Sequence, residues 1–82
     1  MSTYAEELIR AYRESGADRP EESSDPRIVA GYLLTQHKSH WDALRAFSQE
    51  HAEVVNAPKI VRTADDERVL AIYRHLQLAA AP

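Results

Sequence analysis

Four times along this chain a short hydroxyl or carboxylate side chain stands where a helix N-cap belongs, and apolar residues at helical spacing follow each time. Thr3-Tyr4-Ala5-Glu6 has the capping-box pattern, and Asp25-Pro26 joins a good cap to a proline at the first helical position. Ser39-His40-Trp41-Asp42 and Thr63-Ala64-Asp65-Asp66 repeat the signal, with carboxylates where the helix dipole favours anions. Only Gly16 and Gly31 are glycines, and no stretch alternates apolar and polar residues as a half-buried strand would. The pattern predicts a compact all-α, four-helix domain with short connections.

The predicted helices run over about 4–15, 26–37, 40–55 and 64–79, within a single domain covering 1–82. In the first, Ala5, Leu8, Ile9 and Tyr12 share a face, and Gly16 supplies a left-handed stop. The second carries Ile28, Val29, Tyr32 and Leu33 on one arc, with Ala30 and Leu34 on the other side. A helix so nearly apolar all round is buried on several sides. Gly31 in its middle costs about 1 kcal/mol relative to alanine, a cost that close approach of another backbone would offset. The third helix has its stripe at Trp41, Leu44, Phe47, Val54 and Val55, ending at Asn56 and Pro58. The fourth turns Val69, Leu70, Ile72, Tyr73 and Leu76 inward and leaves Leu78 off the stripe. Residues 17–25 read as an acidic, solvated loop, and Ile60 and Val61 in the connector are expected to plug one end of the core.

A chain of 82 residues buries only about 60–65% of its unfolded surface, so its core is thin and the usual reinforcements are disulfides, metals or oligomerisation. With no cysteine, disulfides are excluded, which fits a cytoplasmic setting. The N-terminus is acidic where a signal peptide is basic, and no apolar run approaches the ~20 residues needed to span a bilayer; a soluble, unprocessed chain is expected. Arginine outnumbers lysine and alanine is abundant, the bias of a GC-rich genome, from which bacterial or phage origin is expected.

Catalytic constellations are hard to find. Without cysteine there is no thiolate nucleophile or sulfur-ligated metal, and two glycines cannot make a phosphate-cradling loop. His37 and His40 lie three residues apart across a proposed helix break; His51 is eleven residues beyond His40, about 16 Å along a helix, too far to share a metal. No enzyme activity, metal or cofactor is therefore expected. His51 falls at the centre of the third helix's apolar arc, which predicts a shielded, neutral, pH-sensitive imidazole.

What remains is recognition. A helix-turn-helix regulator would need clustered cations, and the candidates are Lys38, Arg45, Lys59 and Arg62; against them, Asp65, Asp66 and Glu67 open the fourth helix, and the net charge is -3. Asp18, Glu21, Glu22 and Asp25 could meet a basic partner, and Gly31 could admit a partner's backbone. Six aromatic residues are many for so small a core, and any surplus one becomes an interface anchor. The leading expectation is a non-enzymatic, cytoplasmic protein-binding module, an accessory or inhibitory regulatory factor that binds another protein or itself as a homodimer. A helix-turn-helix nucleic-acid-binding regulator is the alternative, and no membrane role is expected, since no helix has the Lys/Arg-rich face of an interfacial helix.

Overall fold

A computed structural model describes residues 3–57, 59–60 and 63–81. The elements in chain order are α1 (Tyr4–Ser15), a 3-10 turn (Pro20–Glu22), α2 (Pro26–Thr35), α3 (His40–Glu50), the single turn α4 (Ala52–Val55) and α5 (Ala64–Ala80). No strand occurs among the described residues. The four long helices are those the sequence predicts.

All four expected caps form. The side chain of Thr3 accepts from the Glu6 N–H at 3.1 Å, Asp25 from Arg27 at 3.0 Å, Ser39 from Asp42 at 3.1 Å and Thr63 from Asp66 at 3.1 Å. Each satisfies one of the donors a helix start leaves unpaired. Gly16 ends α1 at φ 63°, a left-handed conformation that glycine adopts without steric cost.

The helices converge on α5, which packs against α1, α2, α3 and α4, while α1 lies most extensively on α2. The core consists of Ala5 and Leu8 from α1, Val29, Ala30 and Leu34 from α2, Ala43, Leu44 and Phe47 from α3, and Val69, Ile72 and Leu76 from α5. The α5 positions are three and four residues apart, so one stripe of a straight helix serves them all. The result is a compact all-α domain with a radius of gyration of 12.1 Å, close to the ~12 Å typical of folded chains this long. Among the described residues no helix is long and apolar enough to cross a membrane.

α2 is enclosed by α1, α5, α3 and the 3-10 turn, as its all-round apolar character predicts. Gly31 lies where α1 and α2 meet: a Cβ there would stand 2.1 Å from the Leu8 carbonyl oxygen. The backbone that approaches Gly31 thus belongs to this same chain, which corrects its assignment as a partner-binding residue. Beside it, Tyr12 and Tyr32 pack edge to face at 5.4 Å.

Other expectations need correction. α2 ends at Thr35 rather than 37, because the Thr35 hydroxyl bonds the Tyr32 carbonyl at 2.6 Å and the Gln36 N–H turns back to Leu33 at 3.1 Å. The third helix is not continuous to 55. Its ladder stops at His51 (φ -115°, ψ 33°) and restarts with the Val54 and Val55 N–H groups donating to the His51 carbonyl. The break brings Val54 against the core, and α4 against α5.

The segment 17–25 is not simply a solvated loop. Pro20 is buried, and the Arg68 guanidinium on α5 donates to the carbonyls of Ser23 (2.8 Å) and Glu21 (2.9 Å), tying the 3-10 turn to the body of the domain. Ile60 is 60% exposed and plugs nothing, while Val61, its expected companion, lies outside the described residues.

Candidate protein-docking cleft

Five of the six aromatic side chains are at least partly enclosed: Phe47 is buried, and Tyr4, Tyr12, Tyr32 and Tyr73 are half-buried. Trp41 is the exception, at 61% exposed. Its place follows from local sequence: Ser39 caps α3, so Trp41 lies in the first turn, one turn ahead of the buried Leu44, at the rim of the stripe rather than within it. Placing Trp41 in the buried stripe, as periodicity alone does, is corrected.

Trp41 borders an open cleft of about 430 Å³. The floor is apolar, made by Leu34, Trp41 and the alanines at 79–81 that close α5. His37, Lys38 and His40 from the α2–α3 connection form the rim. The cleft exists because α2 stops early: the turn between Thr35 and His40 carries the chain past the end of α5, where only alanines remain to fill the space. Such a surface can hold apolar side chains of a partner while donating hydrogen bonds from its edge.

The other expected site residues are dispersed. Asp18 is exposed; Glu22 pairs on the surface with Arg19 at 3.6 Å. Glu21 uses its carbonyl to receive Arg68, and Asp25 is occupied as the α2 cap while its carboxylate stands 3.6 Å from the Arg27 guanidinium. The acidic segment is thus partly committed to holding itself in place. Of the proposed nucleic-acid contacts, Lys38 lines the cleft, Arg45 is exposed on α3, Lys59 is exposed in the connector, and Arg62 lies outside the described residues. Among the described residues no three metal-ligating side chains gather.

His51 is half-buried at the break between α3 and α4, its ring 4.4 Å from that of Phe47. The shielding expected of this imidazole is met in part: the ring packs on the buried Phe47, while the residue keeps some contact with water. On α5 the structure perturbs His75, which the sequence did not single out. Its Nδ1 is hydrogen-bonded to the Tyr4 hydroxyl, joining the start of α1 to α5, and the two rings stack. Burial holds its pKa below the ordinary 6.5; the Arg27 and Arg74 charges push the same way and Asp25 opposes them. The partners are 71 residues apart, so no local signal joins them. Arg68 did leave a signal, since it lies four residues before Ile72 and therefore borders the buried stripe of α5.

Fold and cleft together define a small all-α domain with one exposed aromatic side chain. No protein-family model, curated protein or solved structure matches the chain.

Proposed function

We propose that this chain is a non-enzymatic protein-binding module whose contact surface is centred on Trp41. One observation carries the reading: the single tryptophan is 61% exposed beside an apolar-floored cleft, while every other aromatic is at least half enclosed. Tryptophan is enriched among residues that dominate interface energetics, because its large rigid ring gains much on desolvation and loses little side-chain freedom. The partner is a different protein. A homodimer drew support from the thin core and from the all-round apolar α2, and the second of these is weakened because that helix is taken up inside the fold by α1 and α5. Such a module acts by occupying its partner's surface, as accessory and inhibitory factors do.

The test places a photo-crosslinking amino acid at position 41 of the full chain in living cells, with position 14, exposed on α1, as the control. A discrete protein adduct formed from position 41 and not from position 14 is expected. Adducts with nucleic acid would favour a nucleic-acid-binding regulator; adducts with a second copy alone would make the surface a homodimer interface. Either result, or no adduct, overturns the proposal.

A further inference from the structure

We propose that the Trp41 cleft receives an acidic peptide segment of the partner, one that presents a bulky apolar side chain next to a carboxylate. This rests on the reading of the chain as a protein-binding module and adds the chemistry of what is bound. The side chains of the floor, Leu34, Trp41 and the terminal alanines, are all apolar, so the anchor they take is an aliphatic or aromatic side chain.

The rim decides the charge. Lys38 is exposed at its edge with His37 and His40 on either side, and among the described residues no carboxylate lines the cleft. That local sign is opposite to the net charge of -3. The acidic first turn of α5, at Asp65, Asp66 and Glu67, is separated from the alanines of the cleft by about 20 Å of helix. The nearest carboxylate along α3 is Asp42, exposed one residue beyond Trp41. The start of α3 brings the positive end of its dipole to this space and the last turn of α5 brings a negative end, so the two offset and the Lys38 ammonium sets the sign at the rim. An acidic segment meets no lining carboxylate here, so the Lys38 charge selects register and partner while Trp41 supplies the affinity.

The probe is a random peptide display library panned on the full-length chain, with enriched peptides then titrated against it. Because Trp41 is the sole tryptophan, its emission reads occupancy of the cleft directly. Enriched sequences should place Asp or Glu beside a bulky apolar residue, and tryptophan-free peptides carrying Leu, Ile or Phe should shift the emission to the blue. Trp41→Ala should abolish selection of these peptides, and Lys38→Glu should weaken them by roughly three- to tenfold, the size expected of reversing one exposed charge. The same peptides with Lys replacing Asp and Glu should bind the Lys38→Glu variant better than the natural chain. Far-UV circular dichroism confirms that both variants fold. Enrichment of neutral or basic peptides that still require Trp41 would overturn the acidic partner and leave the binding module standing. Failure to enrich any Trp41-dependent peptide would overturn both.

Discussion

Replacing Gly31 by alanine sets two effects of opposite sign against each other. In an exposed helix the change would stabilise by about 1 kcal/mol, because glycine loses more backbone freedom on folding. Here the new Cβ would lie 2.1 Å from the Leu8 carbonyl oxygen, 2.7 Å from its carbon and 3.0 Å from the Tyr12 Cβ. Two of the three obstructing atoms are backbone, so no rotamer change relieves the overlap. α1 must move off α2 by about 1 Å, and a gap of that size forfeits roughly a quarter to a half of the dispersion energy of each contact it opens. Leu8 and Ala5 on one side and Val29 and Ala30 on the other are all buried at or beside this seam. Overpacking of this kind costs ~1–3 kcal/mol, and rigid backbone on both sides places it at the upper end. Net of propensity, Gly31→Ala should destabilise by about 2 kcal/mol. In a domain this small that lowers the melting temperature by roughly 10 °C. Thermal and urea unfolding followed by circular dichroism measure both quantities. Gly16→Ala provides the internal comparison: nothing lies within 4 Å of a Cβ there, but φ is 63°, so its cost is about 1 kcal/mol of left-handed strain. If Gly31→Ala unfolds at or above the natural midpoint, the seam does not depend on close backbone approach and the account of α1–α2 packing is wrong.

Other substitutions probe the remaining contacts. Since the folded pKa of His75 lies below its unfolded value, the folded state binds fewer protons, and the stability it contributes is lost as pH falls through about 6.5 and below. His75→Gln should flatten that limb of a stability profile taken from pH 7.5 downward; an unchanged slope would assign acid sensitivity to another group. Arg68→Met should cost about 1–2 kcal/mol through its two lost bonds to carbonyls. Its sharper signature is faster limited proteolysis within residues 17–25, and a segment as resistant as before would mean that Pro20 alone anchors it. Trp41→Ala should change stability by less than about 1 kcal/mol, because most of the indole is in water already; a large fall in melting temperature would make Trp41 a core residue and remove the basis for a binding surface.

The part of this fold that could be read from residue order is the part built from contacts within one or two helical turns. Thr3, Asp25, Ser39 and Thr63 cap because a side-chain oxygen reaches a backbone N–H two or three residues on, whatever surrounds it. Gly16 stops α1 for a similarly local reason, and the stripe of Val69, Ile72 and Leu76 follows from helix period alone. The candidate site was only half legible. A surplus aromatic was expected, but which one was left outside depended on where α3 met α5, and the cleft beside Trp41 required α2 to stop short of the terminal alanines of α5. Likewise the Tyr4–His75 bond across 71 residues and the hold of Arg68 on the turn at Pro20 arise between elements distant in sequence. Residue order alone determined where helices begin, which faces they hide and that α2 must be enclosed, because short-range sterics and hydrogen bonding decide these. Which neighbours enclose it, and what the packed helices leave in contact with solvent, was decided only when the helices met, since burial is a property of pairs of surfaces.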